Sequence, residues 1–371
     1  MSDNNERLYS LDVLRGLDMI LLTVVGPLVV AVQSGWTCFP DGFMAQFDHA
    51  WGGFTLWDII MPLFIFMCGA AVPFALKKRL DADGRPTPAF WKHVFARFAL
   101  LWFLGLLVQG QLMTFNPLRI HPYCNTLQSI AAGYLIAALA LLIPSLKGRI
   151  ALPIVLTAVY GLLMHFCGDY TREGNVAAIV EKAVYGPLVP AGNRTLEIPG
   201  GYTWVLTTLM FGVLTLAGML STEILRSRLG PWARAGLLAG SGAGCLAVGW
   251  LLVLRVPMIK QLFTVSFSLQ AIGWCMLALA ALYVINDIGR FRFGLRPVVF
   301  FGQSALAAYF ISHFFEPVLK AGAHVLGDGL CTHLPSSAVP LVLQLIMTAE
   351  LVFAMICWRR VKKSRRGAMA V

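Results

Sequence analysis

Apolar runs of about twenty residues recur along almost the whole chain, and no other feature limits its fold as strongly. Such a run crosses about 30 Å of hydrocarbon as a helix, which satisfies every backbone amide internally. Hydrophobic residues make up 58% and charged residues 13% of the 371 residues, whereas soluble domains carry roughly 25% charged residues. The sequence therefore predicts an all-α, polytopic membrane helix bundle that forms a single domain over residues 1–371.

Ten membrane-spanning helices are predicted, at residues 17–33, 56–76, 94–115, 124–143, 150–167, 201–220, 235–254, 264–286, 298–320 and 337–357. With both termini in the cytoplasm, about three quarters of the 29 Lys and Arg residues lie on the cytoplasmic side, including a basic tail at 358–371. This bias agrees with the positive-inside rule. His49 then lies at the outer face. The longest outer loop, about 168–200, is expected to be solvated or to cover a polar site.

The net charge of +11 does not indicate nucleic acid. Basic residues between spans act as topology signals, so the predicted partner is the lipid bilayer. The cysteines show no CxxC or metal-ligand spacing, and no metal is expected. Gly240 and Gly244 have the GxxxG spacing that lets helices approach closely, which favours helix packing and is compatible with a homodimer.

One polar stretch, residues 47–66, stands directly before and within the start of the second span. His49 is the type of side chain best suited to proton transfer near neutral pH. Trp51 and Trp57 are either an aromatic belt at the membrane interface or a surface on which a sugar ring stacks. Asp58 either caps the helix or orients the histidine. His49 and Asp58 are therefore candidates for catalysis, and the two tryptophans for sugar binding.

Further polar residues lie within or beside the spans. Asn125 and Gln128, three residues apart, put two amides near the outer end of the fourth span, suited to hydroxyl recognition or to joining helices. His313, in the outer half of the ninth span, is a further candidate for acceptor binding, together with Asn125 and Gln128. Glu316 is expected on the same helix face as His313. Glu350 lies deep in the tenth span, where ionisable groups usually face a cavity or a partner.

The cytoplasmic side carries residues suited to a phosphorylated ligand. Asp12 and Arg15 are one helical turn apart, which is also sufficient for a local ion pair. No P-loop or GxGxxG motif offers another phosphate cradle. A basic inner mouth that binds a phosphorylated cofactor is predicted, formed by Arg15, Asp18, Lys77, Lys78, Arg290 and Arg296.

Four motifs, in this order, resemble the heparan-α-glucosaminide N-acetyltransferase family of transmembrane acyltransferases. They are Ser10-Leu11-Asp12 with Arg15-Gly16, His49 to Asp58 with Pro62 to Phe66, Leu127-Gln128, and Gly302-Gln303-Ser304 before Tyr309. The resemblance implies a multi-pass enzyme of a bacterial inner membrane. Such an enzyme transfers acetyl from cytoplasmic acetyl-CoA to the amine of a glucosamine-type sugar at the outer face. The family's key histidine corresponds to His49.

The sequence departs from the family pattern at three positions. Family members usually have the pattern His-x-x-Trp-x-Gly, but here His49 is one residue closer to Trp51. An alignment without a gap, counted back from Asp58, puts Asp48 in the histidine position. We keep His49 because a one-residue deletion in a loop is easily tolerated. Gly26 and Ser129 stand where the family carries asparagine and arginine. The acceptor therefore need not be heparan.

These observations predict that His49 is a general base for direct attack of the amine on the thioester, with Asp58 orienting its imidazole. A two-step route through an acetyl-histidine intermediate stays open. Two other functions also stay open. One is a transporter for amino sugars, suggested by Gly26-Pro27 in the first span and by Glu316 and Glu350. The other is an acyltransferase acting on an envelope polysaccharide.

Overall fold

The computed structural model describes residues 8–193 and 203–368, which are helical apart from loops and one isolated bridge between Leu80 and Pro86. Within these residues, eight helical segments are long and apolar enough to cross a membrane, and the count is nine if a further pair of helices, bent by 74°, forms one broken span. A further apolar helix, Thr126–Ala140, has 15 residues and covers only about 22 Å at about 1.5 Å per residue. The prediction of an all-α polytopic bundle is confirmed.

The α-helices, in chain order, are α1 (Tyr9–Ile20), α2 (Gly26–Trp36), α3 (Asp41–Met44), α4 (Ile60–Leu76), α5 (Pro88–Val108), α6 (Thr126–Ala140), α7 (Leu146–Phe166), α8 (Val176–Tyr185), α9 (Thr208–Leu225), α10 (Pro231–Val253), α11 (Val265–Leu282), α12 (Arg296–Gln303), α13 (Ala305–Phe314), α14 (Glu316–Cys331) and α15 (Val339–Ala368). Leu21–Val25 and Tyr283–Ile288 are π-helical, and Leu56–Ile59 and Lys77–Arg79 are 3₁₀ turns at the two ends of α4.

The described chain divides into two units by its internal contacts. The single domain expected from the sequence stays a prediction. The first unit contains the described residues up to Leu11 together with His49–Arg290. The second contains Asp12–Asp48 and the described residues from Phe291 onward. Helices α4 to α11 therefore belong to the first unit.

Most predicted spans coincide with helices, but the ninth was wrong as one continuous helix over 298–320. The chain bends between α12 and α13, and a new helix, α14, begins at Glu316. Pro317 explains this second break, because proline lacks an amide donor and its ring clashes with the preceding turn. Glu316 consequently does not share a helix with His313. It is exposed and lies 2.6 Å from Lys320 in an ion pair.

The ends of two other predicted segments also differ from the structure. The start predicted for the sixth span, residues 201–202, lies outside the described residues, and α9 begins at Thr208. Residues 194–200 of the long outer loop lie outside them as well. The basic tail predicted from residue 358 continues α15 to Ala368, where the described residues end.

The core of the first unit is formed by α4, α6 and α9, which pack through small residues. A Cβ added at Gly69 of α4 would overlap the carbonyl oxygen of Thr215 in α9, and Gly218 of α9 is equally close to the backbone of α4. The Thr215 hydroxyl donates to the Gly133 carbonyl of α6 at 2.8 Å, and Thr222 donates to Ala70 of α4 at 2.8 Å. Close backbone approach and interhelical hydrogen bonds thus hold these three helices together.

The predicted packing role of Gly240 and Gly244 was wrong within the described chain, because the space beside both is open. Gly242 and Gly249 face α11 instead, next to Gly273 and Gln270. Residues two apart on a helix point to nearly opposite sides, so the pair with GxxxG spacing lies on the outer face of α10.

Two separate groups of segments lie at the two ends of α4, and the alternating topology assigns these groups to opposite membrane faces. At one end, Glu223 lies 3.3 Å from Lys77 and 2.9 Å from Arg149. At the other, the segments around His49, Tyr170, Trp204 and Lys260 contact each other, and the Trp204 indole donates to the Gln261 carbonyl at 2.9 Å. The helical segment Leu56–Arg79 between them has 24 residues, about 36 Å of helix. We call these the Lys77 end and the His49 end.

In the second unit, close backbone contacts again occur at glycines. A Cβ at Gly16 of α1 would overlap the carbonyl oxygen of Val298 in α12, and one at Gly302 of α12 would overlap that of Asp12. Helices α14 and α15 form a hairpin in which Gly322 faces the Glu350 carboxylate. One oxygen of Glu350, Oε2, is buried without a hydrogen-bond partner among the described residues.

Candidate functional site

The two oxygens of the Asp58 carboxylate have separate partners. Oδ2 accepts a hydrogen bond from the backbone amide of Thr55 at 3.1 Å, in a reciprocal capping box that opens the helical segment. Oδ1 lies 2.9 Å from Nδ1 of His49. One carboxylate therefore both caps the helical segment and contacts the His49 ring. The tautomer that donates from Nδ1 to this carboxylate carries no proton on Nε2.

His49 is also the residue that reaches Asp58, whereas Asp48 precedes it at the boundary of the two units. The His49 side chain is 44% exposed and the Asp58 side chain 2% exposed. A partly exposed imidazole whose Nδ1 is held by a buried carboxylate has the geometry of an oriented general base.

Lys260 is the third residue of this group, and no motif in the sequence pointed to it. Its Nζ lies 3.3 Å from Asp58 Oδ1, and its side chain is only 7% exposed. The same Nζ lies 3.2 Å from His49 Nδ1 and 3.3 Å from Nε2. A point equally near both nitrogens cannot lie in the ring plane without colliding with the carbon between them. The ammonium therefore sits over the ring face.

The charge state of Lys260 reflects two opposing effects. Burial lowers the pKa of the amine, and the neighbouring Asp58 carboxylate raises it, with burial the larger effect. The pKa of Lys260 is therefore below the ordinary lysine value. The ammonium can stabilise negative charge beside His49, and a larger fraction of neutral amine is present than for an exposed lysine.

The loop that carries Lys260 is closed by Thr264. The Thr264 hydroxyl donates to the Pro257 carbonyl at 2.8 Å and accepts from the Ile259 amide at 3.1 Å. Phe263 takes a left-handed conformation with a φ of 45°, which costs energy for a bulky residue. The loop is joined to the His49 segment by the Gly53 amide, which donates to the carbonyl of Met258 at 2.9 Å. These bonds fix the Lys260 backbone opposite Asp58.

Trp51 lies beside this group, but one face of its ring is already covered. The Arg172 guanidinium carbon lies 4.9 Å from the ring centroid, and the indole donates to the carbonyl of Tyr170 at 3.3 Å. Asn175 donates to the carbonyls of Thr171 and Arg172, which holds this loop in a tight turn. The part of the long outer loop that the structure describes thus covers Trp51.

Trp57 lies in the 3₁₀ turn next to Asp58 and is half-buried. Its position is therefore at the level of the site, on the helical segment that Asp58 caps.

A buried carboxyl group lies farther along the same end of the first unit. Glu181 of α8 is 6% exposed, and its Oε2 accepts from the Val205 amide at 2.8 Å. Burial raises the pKa of Glu181 to about 7. The carboxyl lies near Tyr123, Cys124 and Tyr185, and it adds to the effect of burial in raising the pKa of each.

The comparisons with known proteins bear on only part of this site. Residues 7–113 match a family model described as a domain of unknown function, DUF5009. The matched segment covers less than a third of the chain, and it contains His49 and Asp58 but not Lys260. No curated protein matches the chain.

Asn125 and Gln128, predicted to bind the acceptor, are used within the protein. Both are fully buried. Asn125 caps α6, accepting from the Leu127 amide at 2.6 Å and donating to Gln109 at 2.8 Å. Gln128 accepts from the Cys124 amide and donates to the Pro122 carbonyl. Their amides hold the segment before α6 in position, so their geometry gives no support to acceptor binding.

His313 belongs to the second unit, unlike His49. Its Nδ1 lies 3.0 Å from the carbonyl oxygen of Tyr309, one helical turn back, and its ring stacks on the Tyr309 ring. Its Nδ1 is therefore engaged within α13.

The six residues predicted to bind the cofactor are divided between the two units. Arg15, Asp18 and Arg296 lie in the second, and Lys77, Lys78 and Arg290 in the first. Arg15 lies 3.8 Å from Asp12, as the local ion pair predicted. Asp18 is buried, and neither carboxylate oxygen has a hydrogen-bond partner among the described residues. Arg290 and Arg296 are exposed.

A basic group at the Lys77 end is larger than the sequence predicted. Lys78, Arg79 and Arg97 all lie near His93. Arg97 reaches between helices, with its guanidinium over the Tyr134 ring and 3.5 Å from the Cys68 sulfur. This set could hold phosphate groups. Among the described residues, no cluster of three or more His, Cys, Asp or Glu side chains is arranged to hold a metal ion.

Proposed function

We propose that the protein is a transmembrane acetyltransferase that moves acetyl from cytoplasmic acetyl-CoA to the amine of a glucosamine-type sugar at the outer face. The observation that carries this proposal is the group formed by His49, Asp58 and Lys260. It joins an oriented, accessible imidazole to a buried cation at one end of a membrane bundle. The motifs that resemble the heparan-α-glucosaminide N-acetyltransferase family include two of these three residues.

In the proposed reaction, the acceptor amine attacks the carbonyl carbon of the thioester while His49 Nε2 takes its proton. Asp58 holds Nδ1 and favours the positive charge that develops on the ring. The ammonium of Lys260 stabilises the oxygen of the tetrahedral intermediate, which is how a fixed charge in a water-poor site lowers a barrier. The carbon–sulfur bond then breaks, and the thiolate of CoA takes up a proton.

The donor is proposed to enter from the Lys77 end. The basic residues there suit the phosphates of CoA, and helix α4 leads from them to Asp58. The pantetheine arm would extend beside α4 toward His49 from phosphates held at Arg97, whose guanidinium lies 3.5 Å from the Cys68 sulfur in the middle of that helix. The distribution of Lys and Arg supports a cytoplasmic location for the Lys77 end, and with it a bacterial inner membrane topology with both termini inside.

An acetyl-histidine intermediate is the other route consistent with this geometry. Nε2 of His49 would then attack the thioester itself, and the acceptor amine would resolve the intermediate in a second step. Rapid quenching of the protein with labelled acetyl-CoA and no acceptor distinguishes the routes. Label on His49 that a later addition of glucosamine removes supports two steps, and the direct route predicts none.

The experiment that tests the function measures release of CoA thiol by purified, detergent-solubilised protein with and without glucosamine. The proposal predicts release that depends on glucosamine and yields N-acetylglucosamine. His49→Ala should abolish it. His165→Ala is the matched control, because His165 is an exposed histidine whose ring contacts Phe166 at the end of α7. Full activity in His49→Ala would contradict the assignment.

Two other functions give different results in related assays. A transporter would move labelled amino sugar into proteoliposomes without acetyl-CoA. The exposure of Glu316 and its pairing with Lys320 remove one of the reasons for that alternative. An acyltransferase for an envelope polysaccharide would release CoA thiol with oligosaccharide acceptors but not with glucosamine.

A further inference from the structure

We propose that Lys260 is an acetylation site of the protein itself, which takes the acetyl group from the bound donor when no acceptor sugar is present. This inference rests on the proposed function, because it requires a thioester beside His49. It adds a covalent modification that neither the motifs nor the matched family model suggests.

The first support is the position of the Lys260 amine. Nζ lies 3.2 and 3.3 Å from the two ring nitrogens of His49, over the ring face. A thioester that presents its carbonyl carbon near Nε2 is therefore within reach of Nζ as well. The acceptor amine and the lysine amine would compete for one carbon, and His49 would serve either of them.

The second support is the surroundings of the amine. The side chain is 7% exposed, and it pairs with one carboxylate, that of Asp58. Burial favours the neutral amine, which has the lone pair that an ammonium lacks. An amine held next to an activated acyl group gains the rate advantage of a positioned reactant.

The reaction balances without any further reagent. The Nζ lone pair forms a bond to the carbonyl carbon, the carbon–sulfur bond breaks, and CoA leaves as its thiolate. Once Nζ has left the ring face to bond the carbon presented at Nε2, its proton passes to His49 Nε2 and then to the thiolate or to water. The products are an acetamide on Lys260 and free CoA.

Acetylation would also inactivate the site. The amide carries no charge, so Asp58 would lose the cation that lies 3.3 Å from it. The charge proposed to stabilise the tetrahedral intermediate would be lost at the same time. Preincubation with donor alone should therefore reduce later transfer to glucosamine, and excess glucosamine should protect the protein.

The experiment incubates purified protein with acetyl-CoA that carries a deuterated acetyl group, in the absence of acceptor, and maps peptides by mass spectrometry. Lys260 should gain the labelled acetyl at least about tenfold faster than Lys320, because only Lys260 is positioned at the site. His49→Ala should prevent the labelling. In Lys260→Arg, which retains a positive charge, any remaining activity should not decay during preincubation with donor.

Several results would overturn the inference. If the protein transfers acetyl to glucosamine while Lys260 stays unlabelled, the inference is contradicted and the proposed function is not. Equal labelling of Lys260 and Lys320 indicates ordinary chemical acetylation, and equal labelling in wild type and His49→Ala removes the role of the histidine. Absence of both labelling and transfer overturns the proposed function together with the inference.

Discussion

Asp58 and Lys260 form a buried ion pair in which Lys260 Nζ lies 3.3 Å from Asp58 Oδ1, at side-chain exposures of 2% and 7%. Such a pair contributes little net stability compared with an apolar pair of the same shape, but the loss of one partner leaves an uncompensated charge. Retention of a pair of this kind beneath an accessible histidine is therefore better explained by its chemistry than by stability.

Removal of Lys260 alone should destabilise the protein strongly. Lys260→Met is expected to lower the free energy of unfolding by about 3 kcal/mol, because Asp58 stays buried without its cation. The double variant Lys260→Met, Asp58→Asn should recover most of that loss while staying inactive. Denaturant titration in detergent measures both.

The matched control for this prediction is Lys320→Met, which removes the exposed pair with Glu316. An exposed pair is worth less than about 1 kcal/mol. Equal losses of unfolding free energy in Lys260→Met and Lys320→Met would show that the Asp58 pair contributes no more than an exposed ion pair.

Arg172 should limit access of a sugar to the Trp51 ring. Its guanidinium lies 4.9 Å from the ring centroid, and an exposed contact of this type contributes about 0.5–1 kcal/mol. If a neutral amino sugar stacks on this face, Arg172→Ala should lower the KM for glucosamine by about two- to fivefold with kcat unchanged. Arg255→Ala, an exposed arginine in another loop assigned to the outer face, is the control. A raised KM in Arg172→Ala alone would instead mean that the arginine binds the acceptor.

Glu181 should make stability depend on pH in the direction opposite to most carboxylates. Its pKa rises from an ordinary 4.5 to about 7 in the folded protein. The folded state holds the proton more tightly, so this contribution to stability is complete below pH 4.5 and is lost as pH rises through 7. Glu181→Gln copies the neutral form and retains an acceptor for the Val205 amide.

At about pH 8, Glu181→Gln should therefore be more stable than wild type by about 3 kcal/mol, since one pKa unit corresponds to about 1.4 kcal/mol. The difference should disappear near pH 4.5. Thermal unfolding of both proteins across this range measures it. A constant difference at every pH would indicate a packing effect rather than titration.

The sequence predicted the helical segments well because apolar runs of spanning length have few alternatives in a membrane. Breaks within a run were harder to predict. The Glu316-Pro317 step ends α13 in the structure. Proline at that position is a local signal for a helix break, but the prediction followed the continuous apolar pattern instead. Helix ends inside the membrane depend on such local chemistry more than on hydropathy.

Within the site, the part that lies along one segment was predictable. His49 and Asp58 are nine residues apart, and their hydrogen bond follows from the turn between them. Lys260 is 211 residues from His49 and reaches it only through the fold. The one available signal was a lysine in the short connection between two spans, which also carries Arg255 and Gln261. The contact of Arg172 with Trp51 could not be predicted either, because it joins two loops that are far apart in the sequence.

The proposed function requires an acetyl group to cross the bilayer from CoA to a sugar amine at His49. Proteoliposomes that enclose glucosamine, with labelled acetyl-CoA added outside, test it most directly once protein oriented with the Lys77 end outward has been selected. The proposed function predicts labelled N-acetylglucosamine inside the vesicles with wild-type protein and none with His49→Ala. Labelled product that forms only when donor and acceptor share one side, or at the same rate in His49→Ala, would contradict it.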